Sequence, residues 1–293
     1  MQIVSKGLTY TYNKKSEFKK AALTGVDLII NEGEFFGIVG ETGSGKSTFI
    51  QHLNGLIPVE SGYLKVGDYD LSVTDKKDKK ALKKRLKELR AKVGMVFQYP
   101  EYQLFAETVF ADVAFALKNF NSDLTDEQIE FRVKKAIETV GLDYYEVKDK
   151  SPFELSGGQK RRVAIAGILV SEPEILVLDE PVAGLDPVGK KRLMSLLHTL
   201  HDNKIVKTII IVSHDMDEIS ENVQRVALFS GGKAVLVCTP KELFLSEHVA
   251  VKRLGLPVTA YAAKKLSEIG IEIDSNFKVS DFTQKIIEKY NQK

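Results

Sequence analysis

Leu8-Thr9-Tyr10-Thr11-Tyr12 alternates apolar or aromatic with polar residues, the two-residue period of a half-buried strand. The polar run Asn13 to Lys20 interrupts it as a loop. Val26 to Ile30 resumes as a strand, and Asn31-Glu32-Gly33-Glu34 makes a turn. Phe35 to Val39, Val93 to Phe97, Glu174 to Leu178 and Thr208 to Val212 are continuously apolar or nearly so, and predict buried strands. Helical spacing lies between them. Phe49, Ile50, Leu53 and Leu56 share a face, as do Leu82, Leu86, Leu89 and Val93. From Thr108 to Leu142 the pattern is helical, broken at Asn121-Ser122-Asp123 and restarted by Thr125-Asp126-Glu127-Gln128. Further helices are predicted over Val163 to Val170 and around Leu193, Leu196 and Leu197. This is an α/β chain with an α-helical insertion. Pro58, Gly62 and Gly67 mark a small hairpin, and Gly231-Gly232 turns Val226–Phe229 back into Ala234–Val237. After Thr239-Pro240 the character changes. Residues 241–293 hold helical segments at Tyr261–Ile269 and Phe282–Tyr290, too little chain for a large core of their own.

One strand-to-helix junction carries a specific chemistry. Gly40-Glu41-Thr42-Gly43-Ser44-Gly45-Lys46-Ser47-Thr48 fits the phosphate-loop pattern of Gly, four residues and Gly-Lys-Ser/Thr. Gly40, Gly43 and Gly45 let backbone N–H groups converge on one phosphate, and the helix N-terminus adds partial positive charge. Lys46 reaches the outer phosphates, and the Ser47 hydroxyl suits Mg²⁺. Leu155-Ser156-Gly157-Gly158-Gln159, before another helix, forms a second anion site of the same kind. Either one chain binds two nucleotides, or two chains pair and each site takes one loop from each.

Acidic and polar residues at strand ends extend the site. Asp179 suits Mg²⁺ through water, and Glu180 suits the orientation of an attacking water. His214 comes at the end of the Thr208–Asp215 stretch, where open α/β sheets face their ligands, a position that suits it to sense a γ-phosphate better than the other histidines. His52, His198, His201 and His248 read as ordinary surface or helix residues. Asp186, before Pro187, reads as a helix cap. Gln98-Tyr99-Pro100-Glu101-Tyr102-Gln103-Leu104-Phe105 places a Pro and three aromatics after a strand; it is a partner-binding patch or a cap on the local core. Tyr12 is a base-stacking aromatic or an edge-strand aromatic; spacing leaves both open.

Composition adds limits. The chain has 293 residues, 43% of them hydrophobic and 28% charged, as in a soluble globular protein. The net charge of +2 is too balanced to argue for nucleic acid. Ten Lys or Arg lie between Lys76 and Lys92, a basic helix that is either a solvated face or a surface for lipid headgroups or nucleic acid. The single cysteine, Cys238, excludes an internal disulfide and reads as a small buried residue. The N-terminus lacks a signal-peptide core, and no apolar run approaches the roughly 20 residues of a membrane span. Any membrane role therefore comes through a partner.

Together these residues resemble the ATP-binding-cassette (ABC) ATPases. Residues 40–48 match the Walker A loop, 175–180 the Walker B strand with its glutamate, and 155–159 the signature. Gln98 matches the Q-loop, Ala183 to Asp186 the D-loop, and His214 the switch histidine. The resemblance covers residues 1–240. It implies a P-loop nucleotide-binding domain with a RecA-like core, an antiparallel β subdomain and an α-helical subdomain over about 100–165. It also implies ATP and Mg²⁺ as ligands, with Ser47, Gln98 and Asp179 around the metal and Glu180, Gln98 and His214 in catalysis. Such domains pair head to tail. Gly40 and Thr42 to Thr48 would then hold ATP together with Tyr12 on the adenine, while Ser156, Gly157, Gly158, Gln159 and Asp186 serve the neighbouring site.

Phe97 to Phe105 with Glu107-Thr108-Val109, Ser151-Pro152-Phe153-Glu154 and Gly184-Leu185-Asp186-Pro187 carry a narrower likeness. They resemble the ATPase subunits of energy-coupling-factor (ECF) importers of vitamins and other micronutrients, in the second of two paralogous types. That resemblance implies a peripheral protein on the cytoplasmic face of the cell membrane. Its partners would be a paralogous ATPase, or a second copy, and a transmembrane coupling protein docking near Gln98–Phe105. A substrate-binding membrane component would join through the complex, with residues 241–293 helping to hold the two ATPases together. Val182 departs from the family's common threonine. Another ABC importer motor, or a soluble ABC ATPase, is the alternative reading. The transported substrate is chosen by another polypeptide.

Overall fold

The computed structural model describes residues 1–72, 85–120 and 123–291. In chain order come β1 (Ile3–Tyr12), β2 (Lys20–Ile30), β3 (Phe35–Gly40), α1 (Lys46–Leu53), β4 (Ser61–Val66) and β5 (Tyr69–Asp70). Residues 85–92 are helical (α2). They precede β6 (Val93–Val96), α3 (Val109–Phe120), α4 (Asp126–Thr139), α5 (Tyr144–Val147) and α6 (Gly157–Leu169). Then follow β7 (Ile175–Asp179), α7 (Pro187–Asp202), β8 (Thr208–Val212), α8 (Met216–Asn222), β9 (Arg225–Ser230) and β10 (Lys233–Cys238). The chain closes with α9 (Pro240–Leu245), α10 (Val258–Ser267) and α11 (Val279–Asn291).

Two sheets form. One is antiparallel, in the order β2-β1-β4-β5, and the other runs β10-β9-β3-β8-β7-β6. In the second sheet β9, β3, β8, β7 and β6 are parallel and only the edge strand β10 is antiparallel. Its inner strands are apolar throughout because both faces are covered. Along β3, Phe36 and Ile38 join the cluster shared with the antiparallel sheet and α1, while Phe35 and Val39 join the cluster under the helices. The same alternation divides Ile210 and Val212 from Ile209 and Ile211 on β8. This is the P-loop ABC fold expected above.

The helical insertion packs α3 and α4 on α6, with Val113, Leu117, Val133 and Ile137 wholly buried. Residues beyond 240 share that core: Leu243, Phe244, Val251, Ala260 and Phe277 are buried in the same cluster. Two acids of α8 hold the last helices. Asp217 Oδ1 accepts the Val258 N–H at 2.8 Å and Glu221 Oε1 accepts the Val279 N–H at 2.5 Å. Each bond satisfies an otherwise unpaired donor at a helix N-terminus.

Some sequence expectations change. The loop over 13–20 is shorter, since β2 already begins at Lys20 and pairs it with Tyr12. Of the two readings of His52, the helix one holds: it lies in α1, fully buried, its Nδ1 is 2.7 Å from Thr48 O, and Tyr10 packs edge-on to its ring. Cys238 is half-buried on β10, where burial pushes its thiol up to about 11. The basic helix expected over 76–92 lies outside the described residues up to 84. In its described part Arg90 donates to the Asn54 and Gly55 carbonyls, and Arg85 sits over the Tyr69 ring at 4.7 Å.

Candidate active site

The C-terminal ends of β3, β8, β7 and β6 lie side by side, so the residues that follow them share one edge of the sheet. β3 runs into the loop 40–45, and α1 starts at Lys46. Gly40, at φ 147°, has no room for a Cβ against the Phe229 carbonyl oxygen. Gly45, at φ 105°, would push a Cβ into the Ala22 carbonyl. The loop is therefore wedged between the β9–β10 turn and β2, and Gly232 N–H donates to Ser44 O at 3.1 Å. Only glycine permits that approach.

Lys46 is 9% exposed, and its Nζ donates to Gly40 O at 2.6 Å and Glu41 O at 3.0 Å. Burial pulls its ammonium down from the ordinary lysine value, opposed by the charges of Glu180 and Asp179. Ser44 Oγ is buried without a hydrogen-bond partner among the described residues. Such an orphan is costly unless a ligand completes it, and a phosphate oxygen would.

Asp179 ends β7. Burial raises its carboxyl, Glu180 pushes the same way, and a side-chain hydrogen bond from Ser47 with the charge of Lys46 opposes them. Glu180 follows in the left-handed region at φ 50°, with its N–H bonded to Val212 O at 2.9 Å. A non-glycine residue held there is strained, as active-site residues often are. Glu180 Oε2 is 2.7 Å from His214 Nδ1. Gln98 follows β6 and is exposed.

A pocket of about 160 Å³ beside the loop is lined by Tyr12, Lys20, Ala22, Gly43, Gly45, Lys46, Ser47 and Thr48. Tyr12 is fixed by its hydroxyl, 3.3 Å from Thr48 Oγ1, and by an edge-on contact with Tyr10. Lys20 was not anticipated here.

The second loop is built by a cap. Ser156 Oγ accepts the Gln159 N–H at 3.3 Å while Gln159 Oε1 accepts the Ser156 N–H at 3.0 Å, a reciprocal cap on α6. Gly157 and Gly158 are exposed, with open space where a Cβ would be. Among the described residues no hydrogen bond joins 156–159 to 40–48. Asp186 caps α7 through Gly189 N–H at 2.8 Å, as expected.

Sequence reasoning missed Arg161 and Glu218. Arg161, on α6, is 5% exposed and bonds Glu101, Pro181 O and Ala183 O. Glu218, 8% exposed on α8, accepts the Ser213 hydroxyl at 2.6 Å next to His214. The helical spacing of Arg161 with Val163 to Val170 carried a weak signal; a buried partner cannot be read from it.

Residues 23–183 match the ABC transporter family. The chain belongs to the ABC transporter family. The energy-coupling factor transporter ATP-binding protein EcfA2 of Clostridium tetani (strain Massachusetts / E88) is 44% identical to this cassette over 296 residues, 100% of this chain and 99% of the relative. The protein of the same name from Clostridioides difficile (strain 630) is 46% identical over 278 residues, 94% of this chain and 93% of the relative. Likeness of that degree and extent places the cassette among the ECF ATP-binding proteins. Among solved structures, cbiO1 from Clostridium perfringens, part of the ABC transporter complex cbiONQ, is 36% identical with TM-score 0.72, over 89% of this cassette and 98% of that chain. The ATP-binding cassette MJ0796, dimeric and bound to ADP and Pi after hydrolysis, is 29% identical with TM-score 0.69, over 81% and 98%.

Proposed function

We propose that this chain is the ATP-hydrolysing subunit of an ECF membrane importer for vitamins or other micronutrients. The observation that carries the reading is the meeting of Lys46, Asp179, Glu180 and His214 at one sheet edge, in a cassette related over its full length to EcfA2 proteins. No helix among the described residues is long and apolar enough to cross a membrane. The chain's likeness to EcfA2 proteins supports a peripheral subunit on the cytoplasmic face.

The loop N–H groups of 42–48 and Lys46 hold the ATP phosphates, Ser44 Oγ gains its missing acceptor there, and Tyr12 stacks on the adenine. Ser47 and Asp179, joined by a hydrogen bond, present hard oxygens that fit Mg²⁺, and Gln98, after the neighbouring strand β6, would complete the set. Among the described residues no group of three or more His, Cys, Asp or Glu could cage a metal by itself. That suits Mg²⁺, which keeps few protein ligands and shares its shell with phosphates and water. The metal, when bound, neutralises charge developing on the phosphates. Glu180 takes the proton of the attacking water on its carboxylate, and His214 fixes that carboxylate through Nδ1 while facing the γ-phosphate side.

Ser156, Gly157, Gly158, Gln159 and Asp186 serve the ATP of a neighbouring ATPase. The exposure of Ser156, Gly157, Gly158 and Asp186 supports the assignment, and the MJ0796 cassette is dimeric. The neighbour is a paralogous ATPase or a second copy, and residues 241–293 help to hold the pair. Tyr99, Tyr102 and Phe105, exposed by 40%, 85% and 60%, form the dock for a transmembrane coupling protein, which carries the substrate-binding membrane component. No nucleic acid takes part. Solubilising the complex in mild detergent and identifying its subunits tests this reading. A second ATPase, a coupling protein and a small substrate-binding membrane protein are expected. An extracytoplasmic binding protein in their place would refute it.

A further inference from the structure

We propose that Arg161 is a positioning residue that relays movement of the Gln98–Phe105 segment to the turn carrying Glu180. The guanidinium has five N–H donors, and all are engaged. Nε and Nη2 donate to the two Glu101 carboxylate oxygens at 3.1 and 3.2 Å. Nη1 donates to Pro181 O at 3.0 Å and Ala183 O at 3.2 Å, and Nη2 donates again to Ala183 O at 3.2 Å. One edge of the planar group therefore grips the 3₁₀ turn Pro100–Gln103, and the other grips the turn directly after Glu180. The stem belongs to α6, whose N-terminus is Ser156–Gly158. One buried side chain thus ties together the docking segment, the signature helix and the end of the Asp179-Glu180 strand.

A guanidinium suits this task and an ammonium does not. Its donors are fixed in a plane, so a shift of Glu101 transmits direction as well as force. The strain at Glu180 makes the far end responsive: a residue at φ 50° keeps that conformation only while its surroundings impose it. Two of the imposing contacts are the carbonyls of Pro181 and Ala183 that Arg161 holds. That the docking segment receives the input rests on the function proposed above.

The test uses the assembled complex in detergent and in vesicles. Glu101→Gln keeps a hydrogen-bonding group at a side chain that is 20% exposed, and Arg161→Lys keeps the charge and loses the fork; thermal melts of both confirm that the folded complex is what is assayed. Both variants are expected to retain the coupling protein and a KM for ATP within about twofold, while kcat falls about tenfold or more and transport falls with it. The double variant should be no worse than the poorer single, since both break one link. Unchanged kcat in both singles, or multiplicative losses in the double, would overturn the relay. Tyr102→Ala, run alongside, addresses the dock alone: a complex that stays intact and coupled refutes the docking reading, whatever the Arg161–Glu101 cycle returns.

Discussion

His214 Nδ1 lies 2.7 Å from Glu180 Oε2, and the two side chains differ sharply in exposure, 74% against 16%. The carboxylate is held from within and met from outside. Its backbone sits at φ 50°, directly after β7. Glu180→Gln keeps the shape and loses the basicity. Steady-state phosphate release from the assembled complex should fall by about 10²–10⁴-fold while nucleotide binding persists. Undiminished hydrolysis would remove Glu180 from its role.

Glu218 makes stability depend on pH. Burial pushes its carboxyl up to about 7 from a model-peptide value of 4.5, with Asp215 and Glu180 pushing the same way and the Ser213 hydroxyl and Lys190 opposing. Between those values the folded chain binds more protons than the unfolded one, so this group's contribution falls as pH rises and levels off above 7. The full swing is about 3 kcal/mol at most. Glu218→Gln abolishes it, so the variant should gain on the wild type from pH 5 to pH 8 in thermal melts. A constant difference across that range would show that the carboxyl does not titrate there.

Tyr12 is fixed from two sides, by Thr48 Oγ1 at 3.3 Å and by the Tyr10 ring. Tyr12→Phe keeps the ring and should leave ATP affinity within about threefold, the scale of one exposed hydrogen bond. Tyr12→Ala removes the stacking face and should weaken binding by about 1–3 kcal/mol, read by titration with a fluorescent ATP analogue. Equal effects of the two substitutions would count against stacking.

Tyr102 and Phe105 are largely exposed, although Phe105 has Phe115 edge-on at 4.9 Å. Replacing both with aspartate should shift the melting temperature of the isolated chain by only about 2 °C. Co-purification of the coupling protein should be lost. A variant that still captures it would place the dock elsewhere.

The buried strands were legible because β3, β6, β7 and β8 are covered on both faces, which leaves continuous apolar runs. The loop 40–48 was legible because its geometry tolerates few other residues. His52 lies three positions after Phe49 on the buried face of α1, so its burial was open to the same reasoning, although the sequence reading left it between surface and helix. Arg161 and Glu218 were beyond it. Their burial is set by groups that meet only in the folded chain: Glu101, sixty positions from Arg161, and Ser213, which β8 brings to α8. Ser156 was legible as a helix start, but the reciprocal cap it forms with Gln159 at the head of α6 shows only in the folded chain.

The two acids of α8 that hold Val258 and Val279 bear on how the chain unfolds. The last helices lean on Phe244 and Phe277, which lie in the same buried cluster as Val113 and Leu197. Melting them would uncover that cluster and leave two helix starts without acceptors. Residues beyond 240 are therefore not an independently melting tail; calorimetry should record one cooperative transition for the whole chain, and truncation at 240 should yield an aggregation-prone product rather than a smaller working ATPase.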